Sequence, residues 1–195
     1  MAVSLSKGSS VSLTKESGPV RLVRAHVGLG WDPIEIPGRP AYDLDASAFI
    51  LGANDRVLSD SDFVFYNNLS STTGAVTHTG DNRDGSGDGD DESLIVTLEA
   101  LPPAAERIVF SVTIDEAEAR GQSFGQVRNA FIRVANADSG VELARFDLSD
   151  GAAATDSFVF GELYRDGAEW RFGAIGEPAS GGLGGVAQSF GVNVG

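Results

Sequence analysis

The chain of 195 residues sets 28 Asp and Glu against 14 Lys and Arg, a net charge of −14, which repels nucleic-acid backbones and anionic lipid surfaces and favours cations and basic partners. It has no cysteine and only two histidines, His26 and His78, so disulfides, thiolate zinc sites and Cys nucleophiles are excluded and a His-based zinc centre is poorly supplied. The opening MAVSLSKGSS lacks an apolar h-region and no window approaches about eighteen apolar residues, so the expectation is one cytoplasmic domain over residues 1–195, without membrane insertion or a nucleic-acid partner.

Apolar residues recur with period two, in short segments punctuated by Gly, Asn, Asp and Pro, which is the pattern of strands. Val23, Ala25, Val27, Leu29 and Trp31 alternate with polar or small residues and predict a half-buried strand over 21–31, with His26 on its polar face. A Pro-rich connector, 32–40, follows. Leu44, Ala46, Ala48 and Ile50 share one face of the next strand and leave Asp43, Asp45 and Ser47 together on the other. Further strands are predicted at 63–66, 94–98, 107–114, 127–134, 141–148, 157–164 and 169–174, with Asp166-Gly167 as a hairpin turn. Pro102 and Pro103 suit the start of a helical turn over 101–106, and 115–125 is read as another. The glycine-rich C-terminus ends in an alternation, Phe190, Val192 and Val194, that reads either as a strand closing a sheet edge or as a flexible tail. Each strand has one apolar face and needs a partner layer. The expected fold is therefore all-β, a two-sheet antiparallel β-sandwich with one or two short helical turns, with a closed barrel as the alternative.

The densest chemistry lies in Gly80 to Glu92, GDNRDGSGDGDDE: six carboxylates, one Asn and four glycines against one cation, Arg83. Like charges in so compact a run repel by about 1 kcal/mol per pair at 4 Å even in water, and a divalent ion reverses that sign. Calcium takes six to eight oxygen ligands in a forgiving geometry, and Asp, Asn, Glu and the carbonyls of a glycine-rich backbone supply them. Asp84, Ser86, Asp88 and Gly89 follow the first half of an EF-hand loop, but the twelfth position falls on Ile95 rather than a bidentate Glu, so an EF-hand is rejected in favour of an acidic calcium loop between strands. Asp60, Asp62, Asn67 and Asn68 around FVFY, with Asp43 and Asp45 beside them, are further donors; more than six donors give room for two ions. Set against this is a merely solvated acidic loop, which has no need of interleaved glycines. His78 and His26 are read as hydrogen-bonded structural histidines, His78 at the surface. Neither sits in a nucleophile context, which disfavours an enzyme.

DLDASAFIL (43–51), SDSDFVFYNN (59–68), HTGDNRDGSGDGDDE (78–92), IVFSVTIDEAEARGQSFGQVRNAFIRV (108–134), FGELYRDGAEWRF (160–172) and FGVNV (190–194) resemble the TerD family of tellurium-resistance and chemical-stress proteins, nearly end to end. The resemblance implies a calcium-binding β-sandwich acting in bacterial resistance to tellurite and other chemical insults. It implies ligands at Asp60, Asp62, Asn67, Asn68, Asp81, Asn82, Asp88, Asp90, Asp91 and Glu92, with Asp43 and Asp45 as neighbours; Asp84 adds a donor and Gly87 a carbonyl. Asp115 and Ala187 stand where relatives often carry His and Cys, so imidazole or thiol chemistry on tellurite is not implied and resistance is expected to be indirect. The expected function is a non-enzymatic calcium module, filled by two ions, that presents a surface to other stress-complex proteins of the same resistance system or to a second copy of itself. The rivals are a metal-dependent hydrolase using the acidic cluster and an adhesive or structural sandwich in which calcium is only a staple.

Overall fold

A computed structural model describes residues 2–32, 38, 40–80, 89–148 and 154–194. Twelve strands among them form two six-stranded sheets. In chain order they are β1 (Val3–Leu5), β2 (Ser10–Ser12), β3 (Arg24–Asp32), β4 (Leu44–Leu51), β5 (Phe63–Val64), β6 (Val76–His78), β7 (Glu92–Thr97), β8 (Arg107–Ile114), β9 (Arg128–Asn136), β10 (Glu142–Asp147), β11 (Ser157–Asp166) and β12 (Glu169–Ala179). Three short α-helices accompany them: α1 (Leu13–Glu16), α2 (Ala117–Arg120) and α3 (Gly182–Ser189). The first sheet runs β1-β10-β9-β3-β7-β6 and the second β2-β12-β11-β8-β4-β5. All pairings are antiparallel except β1 with β10.

The alternation read in the sequence is the alternation of the sandwich. Ala25, Val27, Leu29 and Trp31 of β3, with Leu94 and Val96 of β7 and Ile132 and Val134 of β9, face Leu44, Ala46, Ala48 and Ile50 of β4 and Ile108, Phe110, Val112 and Ile114 of β8 in one continuous core. Burial of these side chains is the main stabilising term, at about 25 cal/mol per Å² of apolar surface removed from water. The inward phase slips within β11. Phe158, Phe160 and Leu163 of β11 all belong to this core, although the last two stand an odd three positions apart, because the pairing shifts register between Val159 and Gly161. Gly161 permits that bulge: a Cβ there would lie 2.7 Å from a ring carbon of Phe172.

The outer face of the second sheet is covered as well. Phe49, Leu51, Phe63 and Val109 form a separate apolar cluster with Val186, Ala187 and Val192 from α3 and the residues after it. The strand or flexible tail expected at the C-terminus is instead this helix with its extension. The helix takes up Gly182–Ser189, and Phe190 and Val192 of the expected alternation pack instead on the apolar outer face of the sheet. Within 101–106 a single turn is closed by the Ala105 N–H donating to Pro102 O at 2.9 Å, with a 3₁₀ turn at Leu98–Ala100 just upstream, and 115–125 contains α2 and leads into a 3₁₀ turn at Phe124–Gln126. Strand 63–66 is cut to two residues, since Phe65 turns to bridge Asn68. The N-terminal segment, which carries no clear period, supplies β1 to one sheet and β2 to the other and so stitches the two layers along one side.

Candidate metal centre

The acidic segment leads into the start of β7, at the end of the sandwich where β3 finishes. Asp81, Asn82, Asp84, Gly87 and Asp88 lie outside the described residues. Asp90, Asp91 and Glu92 are described, and their three carboxylates go three different ways.

Asp90 lies on the outer face of the first sheet. Arg133 of β9 donates to it twice, Nε to Oδ1 at 2.6 Å and Nη2 to Oδ2 at 2.8 Å, and a further donation from Nη1 reaches Glu142 of β10 at 3.1 Å. This planar two-point pairing is the strong form of an Arg–carboxylate contact. The hydrogen bond to Asp90 is the first cause that raises the Arg133 guanidinium above its ordinary range. The carboxylate rests flat against β3 at Gly28, where a Cβ would meet Asp90 Oδ2 at 2.1 Å. Gly30, two residues on and on the same face, likewise lies under Phe131 and the Gly89 carbonyl. Two glycines at alternate positions of a regular strand mark such a close approach. His26, on the same face, has Nε2 3.6 Å from Asp90 Oδ2. Its pKa is lowered, first by burial; the Asp90 charge works in the opposite direction.

Asp91 and Glu92 tie the segment to both sheets. Asp91 accepts from the backbone N–H of Trp31 in β3 at 2.9 Å, and its own N–H donates to Leu29 O. Glu92 is 2% exposed and crosses the sandwich to accept from the backbone N–H of Ala46 in β4. Local topology accounts for that acceptor. β5 pairs only with Ala48 and Phe49, so β4 extends beyond its two-residue neighbour. Ala46 N–H, two residues before Ala48 and on the same edge, meets a carboxylate instead of a strand. A buried N–H without an acceptor is costly. His78 of β6 is 7% exposed, with Nε2 3.6 Å from Glu92 Oε2, and its Nδ1 accepts from Gly80 N–H. The sequence reading placed His78 at the surface; it is buried because β6 runs inward-facing beside β7.

The remaining candidates divide. Asp45 lies on β4 and is 5% exposed, and Asp43 immediately precedes that strand. Asp62, 4% exposed, accepts from Ser59 Oγ at 2.8 Å and from Thr72 N–H at 3.2 Å. Asp60 accepts from the backbone N–H of Asn193 at 3.0 Å. Asn68 donates its amide to the carbonyls of Phe63 and Ser61, and Asn67 is exposed. Among the described residues no three His, Asp or Glu side chains are grouped closely enough to hold a metal ion. The donor set does fit a hard cation in kind: it is all oxygen and strongly negative, and Asp91 and Glu92 are anchored by backbone N–H groups on two separate sheets. The segments 59–68 and 94–98 belong to different sheets, so an ion between them would join layers rather than pair strands.

An acidic loop rooted across both layers of a two-sheet sandwich defines a class, and comparison with known proteins names it. Residues 1–190 match the TerD domain. The chain is 53% identical over 193 residues to "Tellurium resistance protein TerD" of Serratia marcescens, covering 99% of each chain. It is 45% identical over 195 residues to "General stress protein 16U" of Bacillus subtilis, covering all of both. The fold is shared with the crystal structure of a homologue of telluride resistance protein (TerD) from Streptomyces coelicolor A3(2), with a TM-score of 0.70 and 24% identity over 85% of this chain and 95% of that one. The chain belongs to the TerD family. Sequence reasoning passed over Arg133, Gly28 and Gly30; the glycine spacing in VGLGW was the signal for the last two, whereas Arg133 becomes visible only once β9 is known to lie beside β3.

Proposed function

We propose that this chain is a non-enzymatic, calcium-binding stress-response protein that contributes to resistance against tellurite and other chemical insults, working with other proteins of the same resistance system. The relatives named for tellurium resistance and for general stress support the physiological part. One structural observation carries the calcium part: the acidic run emerges from a rigid root in which neighbouring carboxylates, Asp91 and Glu92, grip β3 in one sheet and β4 in the other. The acids that precede this anchored pair in the sequence add to its negative charge, which a divalent cation would offset.

Asp91 and Glu92 would hold the ion from the described side, with Asp81, Asn82, Asp84, Asp88 and the Gly87 carbonyl from the loop. When bound, calcium supplies a divalent charge and a directing centre for oxygen ligands. Asp90 enters this reading as a carboxylate already served by Arg133, which lowers the net charge the ion must meet. Occupancy would draw the two layers together at this end and stiffen the surface offered to partners.

Thermal melts in calcium and in chelator, with calorimetry for stoichiometry, test the proposal. A ligand at a hundredfold excess over Kd stabilises by about 2.7 kcal/mol, and the calcium-dependent rise in Tm should vanish in Asp81→Asn with Asp88→Asn. No binding heat and no rise in Tm would overturn it.

A further inference from the structure

We propose that α3 and the residues after it form a releasable strap over the outer face of the second sheet, latched at its far end to the Asp60 carboxylate. The strap is short and intrinsically weak as a helix. Its eight residues are GLGGVAQS, whereas an isolated helix needs roughly 12–15 residues to persist in water. Gly184 and Gly185 in its interior each cost about 0.8–1.0 kcal/mol relative to Ala. Its N-cap, Gly181, offers no side-chain acceptor. Packing, rather than helix propensity, holds the helical part in place.

That packing is confined to one patch. Leu183, Val186, Ala187, Phe190 and Val192 lie on Phe49, Leu51, Phe63 and Val109, and the rings of Phe49 and Phe190 are 4.8 Å apart. The patch is separate from the core between the sheets, which α3 does not enter. Lifting the strap therefore leaves the sandwich itself intact, while baring the stacked rings of Phe49 and Phe63, 4.6 Å apart.

Beyond the helix the chain is fastened at two points. Val57 N–H donates to Phe190 O at 2.9 Å, and Asn193 N–H donates to Asp60 Oδ1 at 3.0 Å. Two glycines make the path possible. Gly191 has φ +84°, and a Cβ there would meet Arg56 Cδ at 2.7 Å; a Cβ on Gly185 would meet the Ser180 carbonyl at 2.2 Å. By contrast a Cβ on Gly184 meets nothing within 4 Å, so that position reports on helix stability without disturbing a contact. The Asp60 latch links the strap to the segment 59–68.

Native-state hydrogen exchange of the full chain in chelator buffer tests the strap, and its outcome does not depend on whether the protein binds calcium. Amides of Val186, Ala187 and Phe190 should exchange through an opening of lower free energy and smaller denaturant dependence than those of β8 and β11. Gly184→Ala should slow the strap amides about fivefold and leave β8 unchanged. Asp60→Ala should speed them by about three- to tenfold, again without effect on β8. If the strap amides exchange with the same rates and denaturant slope as β8 and β11, the helix is part of the global unit and the proposal fails. Strap rates unmoved by Asp60→Ala would remove the latch.

Discussion

Arg133 is the side chain whose loss should be felt most at the root of the acidic segment. Arg133→Met keeps much of the aliphatic stem that covers the sheet but deletes both donors to Asp90 and the one to Glu142. The Asp90 side chain is 8% exposed and pinned over Gly28, so the variant leaves a nearly buried carboxylate without its cation. Breaking a fully buried ion pair on one side costs 3–5 kcal/mol. Arg133 is itself 24% exposed and Asp90 lies before β7 rather than within it, which reduces the expected loss to about 2–3 kcal/mol. Urea denaturation in chelator buffer measures it without a metal contribution. The Asp90→Asn variant and the double variant complete the cycle: the double variant should lose less than the sum of the single ones by about 1.5–2 kcal/mol. Additivity within about 0.5 kcal/mol would show that the contact does not carry stability, and the account of how the segment is rooted would then be wrong.

Two further outcomes follow from the same face of the sheet. Burial lowers the His26 pKa below its ordinary 6.5, so the unfolded state takes up a proton first as pH falls; His26 contributes stability above about pH 6.5 that is lost as pH drops through its folded pKa. The stability of His26→Gln should accordingly vary less between pH 7.5 and 5 than that of the wild type, as read from urea midpoints; equal slopes would contradict this. Gly30→Ala puts a methyl group 2.4 Å from Phe131 ring carbons and 2.9 Å from the Gly89 carbonyl and should cost about 1–3 kcal/mol, visible as a lowered Tm; an unchanged Tm would mean that the segment after the loop yields freely.

Legibility in the sequence tracked the range of the physics involved. Period-two alternation is local, and it placed β3, β4, β8, β9, β10, β11 and the start of β12 to within a few residues because each has one face on the core; β12 runs five residues beyond the expected 174. The short pieces escaped it. β1, β2 and β6 span three residues each, too few for a period to show, and owe their conformation to a neighbour's unpaired edge. α3 escaped because its composition argues against helix; only the apolar face beneath it, assembled from β4, β5 and β8, makes helix the better choice there. At the candidate site, residue type pointed to oxygen-donor chemistry from the sequence alone, and the alternation put Asp43 and Asp45 on one face. The partition of Asp90, Asp91 and Glu92 among Arg133, Trp31 and Ala46 depended on strand order in both sheets and on the brevity of β5, which no local pattern encodes.

That partition gives three neighbouring acids three separate structural roles. Asp90 precedes β7 and is not bound by the alternation that would otherwise set it on the same face as Glu92, so the fold gives each carboxylate its own partner. Asp90, on the outer face, braces β9 and β10 through Arg133. Glu92, pointing inward, satisfies an N–H that the opposite sheet leaves over, which makes the junction of β4 and β7 a contact between layers rather than within one. Asp91 holds the end of β3. The segment is thereby fixed to β9, β3 and β4 as β7 begins.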